Sequence, residues 1–203
     1  MSKKHITMMA QAVKDYYSTA KQTAAQIEKN NARYREDIAE GENMKARQQL
    51  QQAKWEAEAA IREAMEAGRV DAEKWGELNS ADLTDDAKFL QMDITPAQFA
   101  NLVERYRSNG TMSALLLQYG QRRNKEAAEN GAVGIGQYDT SDIITVENKA
   151  SVYDKFAMSA LDLISRVEQV DTFGGGVDSP MLQASIETFG EPSAFTQALF
   201  DLL

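Results

Sequence analysis

Side chains able to do acid–base, nucleophilic or metal chemistry near neutral pH are scarce in this chain. It has no cysteine and one histidine, His5, set in a Lys3-Lys4-His5 run near the start. That leaves no room for a Ser-His-Asp triad with a well-positioned base, a multi-histidine metal site, thiolate zinc, an iron–sulfur ligand set or a cysteine nucleophile. Carboxylates are plentiful, with 31 Asp and Glu in 203 residues. General acid–base work needs two of them held at a defined separation, and no spacing singles out a pair. The densest group, Asp82, Asp85 and Asp86, lacks the D-x-[DN]-x-[DN]-G order of a calcium loop. It reads better as acids crowding the start of a short helix over Ser80–Leu90, where they complement the helix dipole. Asn130-Gly131-Ala132-Val133-Gly134-Ile135-Gly136 is glycine-rich but fits neither G-x-x-x-x-G-K-[ST] nor G-x-G-x-x-G, and no lysine follows to meet a phosphate. It reads as a connection. The expectation is a protein that is not an enzyme, with no catalytic residues, no cofactor and no metal.

The elements that carry these side chains are read as helices. Three prolines and twelve glycines in 203 residues favour long uninterrupted helices over a turn-rich β fold. No apolar run approaches the roughly 20 residues of a membrane span, and no signal-peptide core follows Met1, so no membrane partner is expected. The formal charge of −9 is unevenly spread: net +1 over residues 1–75, −4 over 76–94, +3 over 95–126 and −9 over 127–203. A neutral front, a basic centre and an acidic rear suggest separate modules, with an acidic solvated surface as the plain alternative.

Ile6, Val13, Ala20, Ile27 and Tyr34 recur every seven residues. Ala10, Tyr17, Ala24, Asn31 and Ile38 form a second series, offset by four. Alternation of three and four over almost five heptads is the a/d seam of a coiled coil, which faces a partner helix only if the helices supercoil left-handedly. Ile6, Val13, Tyr17, Ile27, Tyr34 and Ile38 are therefore expected to bind a partner helix. After Ala39-Glu40-Gly41-Glu42-Asn43 the seam changes phase to Ala46, Ala53, Ala60 and Ala67, with Leu50, Ala57 and Ala64. The shift at Gly41 predicts a turn between two arms, about 5–39 and 43–74, forming an αα-hairpin; one long discontinuous helix is the rival. Alanines bury little area each, so the pair should need further packing against the chain or another copy. Trp55 and Trp75 are read either as closing a small core or as interface anchors.

In the middle, Thr95-Pro96 predicts a capped helix with Phe99, Leu102, Val103 and Tyr106 on one face. Ser108-Asn109-Gly110 breaks it, and a second helix carries Met112, Leu115, Leu116 and Tyr119. Two helices around an Asn-Gly turn suggest a helix-turn-helix, and Arg105, Arg107, Arg122, Arg123 and Lys125 give this segment a basic character suited to nucleic acid or an acidic partner. The second helix, however, presents leucines where base-reading polar side chains should project. A hairpin whose arginines pair with the acidic rear accounts for the same residues. The run Asp85-Asp86-Ala87-Lys88-Phe89-Leu90, then Leu102 to Tyr106, Asn109, Thr111-Met112 and Leu115 to Tyr119, resembles small helical proteins encoded by phages and prophages of Gram-positive bacteria. The resemblance covers roughly residues 75–125. It implies a role in head or virion assembly, in the cytoplasm of a bacterial host or in the virion, and supplies no functional residues.

Toward the end, Val133–Tyr138 and Ile143–Val146 could pair as a minor β-hairpin. An amphipathic helix follows with Val152, Phe156, Ala160, Leu163, Val167 and Val170 on one face, ended by Gly174-Gly175-Gly176. Ser193 is expected to cap a last helix whose Phe195, Leu199, Phe200 and Leu202 dock either on the chain's own core or in a partner's groove.

The expected fold is mainly α: a long N-terminal αα-hairpin or coiled coil (1–76), a small helical domain (77–173) and a glycine-linked tail (174–203). The expected function is a phage-type assembly protein, with a protein partner or further copies of itself. Two alternatives are an acidic counter-defence inhibitor, acting through acids such as Asp139, Asp142, Glu147 and Asp154, and a DNA-binding regulator.

Overall fold

From Lys4 to Arg33 there is no glycine or proline, and an apolar stripe recurs at helical spacing. The chain accordingly forms α1 (Lys4–Arg33), then α2 (Glu36–Gly76), and the two pack closely as a long hairpin. The computed structural model describes residues 3–131, 137–172, 179–193 and 196–203. Two short 3-10 segments, Ser80–Asp82 and Asp85–Gln91, stand where a single short helix was expected. They are followed by α3 (Pro96–Arg105), α4 (Gly110–Glu129), α5 (Val146–Thr172), α6 (Pro180–Glu187) and α7 (Gln197–Phe200). Among the described residues there is no strand, and no helix is long and apolar enough to cross a membrane.

The hairpin turns earlier than the phase shift at Gly41 suggested. Tyr34 is extended, and the Arg35 carbonyl accepts the amides of Ile38 and Ala39 to start α2. The reversal needs no glycine. Arg33 ends α1 and Glu36 and Asp37 open α2, so each helix end carries the charge that its dipole favours. Gly41 sits within α2, where one glycine costs only about 1 kcal/mol relative to alanine.

The chain divides into two units, and the division is not sequential. One unit joins Ser2–Gly68 with Ser151–Asp201 and Leu203; the other is built on Arg69–Ala150 with Leu202. The expected boundary at 76/77 thus falls at 68/69, inside α2. The part of α5 from Ser151 onward, assigned by sequence to the middle domain, belongs with the hairpin.

In the hairpin unit, α1 buries Ile6, Met9, Ala10, Val13, Tyr16, Tyr17, Ala20 and Thr23. This face is wider than an a/d seam because α1 meets α6 as well as α2. The turn after α6 closes on α1 through Gly190, whose φ of +84° suits glycine and whose Cα faces the Ala10 methyl. Along α2 the inward residues are Ala46, Leu50, Ala53, Ala57, Ile61, Ala64 and Gly68, half-buried at Leu50 and Ala53 and buried elsewhere. Their spacing of four, three and four repeats every 11 residues, about 3.67 per turn rather than 3.5. The seven-residue reading drifts off this face, which is why Ala60 is exposed. On α5, Val152, Phe156, Ala160, Leu163 and Val167 are buried as the pattern required, while the Val170 side chain lies outside the described residues.

The second unit has its own aromatic core. Phe99, Tyr119 and Tyr138 meet with ring centroids 5.3 to 6.0 Å apart, enclosed by Ile94, Leu102, Val103, Leu116 and Ile143. Thr95 caps α3 with a full capping box to Gln98, and the Asn109 side chain caps α4 by accepting the Met112 amide. The minor β-hairpin does not form among the described residues. The Tyr138 backbone instead exchanges two hydrogen bonds of 2.8 Å with the Asn124 side chain on α4. Ile143 and Ile144 are buried in irregular chain, and Val146 opens α5. Side-chain packing against α3 and α4 supplies what a two-stranded ladder cannot. Val133–Gly136 lie outside the described residues.

Candidate interaction surface

The six expected seam residues fall into two groups. Ile6, Val13 and Tyr17 are buried within their own unit, and Ile27 is half-buried. Tyr34 and Ile38, beyond the wide face of α1, are 40% and 48% exposed. The structure thus spends the first half of the seam on internal packing and leaves the hairpin tip open. There Tyr34, Glu36, Ala39, Glu40, Met44 and Arg47 line a notch of about 640 Å³.

A polar ladder fixes the arms behind this notch. The Gln26 side chain donates to Asn30 Oδ1 (2.8 Å), Asn30 Nδ2 donates to Asn43 Oδ1 (3.0 Å), and Asn43 Nδ2 donates to Asn31 Oδ1 (2.7 Å). Asn30 is 2% exposed. A buried amide satisfied across two helices fixes their register, because any slip strands its donors and acceptors. Asn31, the polar seam residue expected from sequence, is exposed; its neighbour Asn30 takes the buried role.

The outer face of α2 carries large apolar side chains. Trp55 is 60% and Met44 59% exposed. They are 11 residues apart, as Ala46 and Ala57 are on the inner face, so the same helical repeat places them on one stripe opposite the alanines. Trp55 therefore does not close a core. Trp75 is half-buried and engaged within its own unit: its indole N–H donates to the Ser108 carbonyl (3.2 Å), and the Lys149 ammonium lies over its ring at 4.6 Å. Lys149 is 3% exposed and also donates to the Leu202 carbonyl; burial pushes its pKa down.

The basic residues of α3 and α4 do not form one patch. Arg105 pairs with Asp86 at 2.7 Å, and Arg123 pairs with Asp93 and Glu126, each at 3.1 Å. These partners lie in or beside the middle segment rather than in the acidic rear. Arg122 stacks on Tyr119, and Arg107 and Lys125 are exposed. The Asp86 carboxylate accepts the Tyr106 hydroxyl and the Arg105 guanidinium, which together hold its pKa below the usual range.

Acids considered for chemistry are likewise engaged separately. Asp82 accepts from Asn79, Asp85 pairs with Lys88, and among the described residues no three His, Asp or Glu side chains converge as a metal site. Asp139 accepts the amide and hydroxyl of Ser141, which lowers its pKa, and Glu147 sits in the first turn of α5.

At the chain's far end, Phe200 is buried edge-on against Phe156, with ring centroids 5.3 Å apart. Leu199 and Leu202 are half-buried, and Phe195 lies outside the described residues. Beside them, α5 and α6 flank an open groove of about 360 Å³, with Phe156, Leu163, Phe189 and Leu199 as its apolar wall and the Arg166–Asp162 pair (2.8 Å) at its rim.

No protein-family model, curated protein or solved structure matches this chain.

Proposed function

We propose that the chain is a non-enzymatic structural or assembly protein of phage type, scaffold-like or engaged in head morphogenesis, that works through helix packing. The observation that carries this reading is the two-faced character of α2. One face is a small-residue stripe buried against its own unit, and the opposite face holds Met44 and Trp55 in water. Large exposed apolar side chains mark interaction sites when they recur along one face, and tryptophan is the residue type that most often anchors such contacts. The ladder through Asn30 and Asn43 ties this end of α2 to α1, so docking near Met44 would order little further backbone there.

The site of action is the cytoplasm of a bacterial host or the virion. Light scattering and sedimentation of the full chain, alone and mixed with phage capsid and portal proteins, test the reading. The expected result is co-migration with one of them or growth into a larger assembly, weakened by Trp55→Ala. A chain that remains strictly monomeric at high concentration and joins none of them would overturn it.

A further inference from the structure

The outer stripe of α2 places large, polar and oppositely charged side chains at mirrored positions about its middle. About a centre between Gln49 and Leu50, Met44 mirrors Trp55, Gln48 mirrors Gln51, and Asp37 mirrors Arg62, with Gly41 mirroring Ala59 to within one residue. All lie on the face opposite the buried alanines, since steps of four and three keep them within about a third of the helix circumference. Asp37 and Arg62 are both well exposed, with side-chain accessibilities of 67% and 62%, and their local pairs, Asp37 with Arg35 at 3.4 Å and Arg62 with Glu58 at 3.2 Å, lie at the surface. They stand about 38 Å apart on one helix at 1.5 Å per residue, so they cannot meet within a chain.

We propose that this stripe is the docking surface for a second copy of the chain, paired antiparallel about a two-fold axis at residues 49 and 50. In that register each Trp55 lies against Met44 of the other copy, and each Arg62 meets an Asp37. Lys45 and Glu56 face each other across one flank of the pair; on the other, Glu40 and Arg47 come near Glu58 and Lys54, which already pair with each other at 4.0 Å. Gly41, with nothing within 4 Å of where a Cβ would sit, meets the small Ala59 and lets the helices approach closely. A two-fold interface is self-complementary, so every contact occurs twice.

The charges at the two ends of the stripe favour a second copy in this direction. A parallel pair in register would set Asp37 on Asp37 and Arg62 on Arg62, and like charges facing each other across helices are unfavourable. The antiparallel pair replaces both clashes with ion pairs. It also covers both large apolar residues of the stripe, Met44 and Trp55, at one stroke.

The inference rests on the helix-packing reading above and names the partner for the same surface. Sedimentation velocity of the full chain from low to high micromolar concentration tests it, with circular dichroism to confirm that each variant stays helical. The wild type is expected to dimerise, and Trp55→Ala to weaken the dimer by about tenfold or more. Asp37→Arg and Arg62→Asp should each weaken it, and the double variant carrying both should regain wild-type affinity. Restoration identifies the register, because the two residues are too far apart to pair within one chain. A monomeric wild type, a dimer indifferent to Trp55→Ala, or a double swap no better than the singles would overturn the pairing. A chain that is monomeric alone yet enters an assembly with a different protein would overturn this pairing while leaving the proposed function standing.

Discussion

The ring of Tyr153 packs directly against Gly68. A Cβ placed on Gly68 would stand 2.5 Å from two ring carbons, and the tyrosine is fully buried, so the ring has nowhere to retreat. The hydrogen side chain of Gly68 is what brings α2 and α5 together at this point. Gly68→Ala should therefore destabilise the fold by about 1–3 kcal/mol, the usual cost of overpacking. Denaturant unfolding checks it: the midpoint should fall with the slope unchanged. A midpoint equal to wild type would mean that α5 can shift away from α2 at no cost.

Gly41 makes the opposite case within the same helix. It has open space around its Cα, so alanine gains helix propensity without a clash. Gly41→Ala is expected to stabilise the chain by about 0.5–1 kcal/mol, measured by thermal unfolding at a concentration that keeps it monomeric. A loss of stability would place an unseen neighbour at this position.

Asn30 should hold the hairpin tip. Asn30→Ala removes the middle rung of the ladder, leaving the Asn43 carbonyl without its donor and costing about 1–2 kcal/mol. Amide exchange over residues 34–39 should quicken in the variant. Unchanged exchange there would assign the turn's stability to the dipole-complementing charges of Arg33, Glu36 and Asp37 instead.

Asp86 gives the second unit an acid-sensitive point. The Tyr106 hydroxyl and the Arg105 guanidinium depress its folded pKa, so the unfolded chain binds the proton more readily. The stabilisation is full above the ordinary aspartate pKa of about 3.9 and is lost as pH falls through the depressed folded value. Thermal melts between neutral and strongly acid pH should show this fall, and Asp86→Asn should flatten it. A variant with the wild-type pH profile would show that other carboxylates dominate acid unfolding.

Thr95 closes the capping box of α3. Thr95→Ala should cost about 1 kcal/mol, and Thr95→Ser should recover most of it, as read by urea titration. Equal losses in both variants would point to the threonine methyl rather than to its hydroxyl.

The candidate surface was only partly legible before the fold was known. Trp55 stood out by residue type, but the identical reasoning applied to Trp75, and only tertiary contact separates them. Trp75 is tied to Ser108 and Lys149, whereas Trp55 faces water. Met44, Asp37 and Arg62 gave no signal at all. Their mirror relation has meaning only once one face of α2 is known to be occupied.

The residue order by itself determined that this is a helical protein, that Ile6 to Ala20 form a buried stripe, that Thr95-Pro96 opens a helix, and that Val152 to Val167 line one face of another. These are local matters: 3.6-residue periodicity, a capping hydroxyl, and the scarcity of proline act within a few turns of chain. Tertiary structure alone decided that α2 follows an 11-residue repeat, that the hairpin turns at Tyr34–Arg35, that Asn124 takes the place of a β-strand for Tyr138, and that α5 from Ser151 onward joins the unit of α1. Local propensities, which differ by no more than about 1 kcal/mol per residue outside proline, leave each of these open. Burial of Tyr153, Phe156 and Ile164 supplies more than that, and it depends on partners far away in sequence. Periodicity says that a face is apolar; only packing says what covers it.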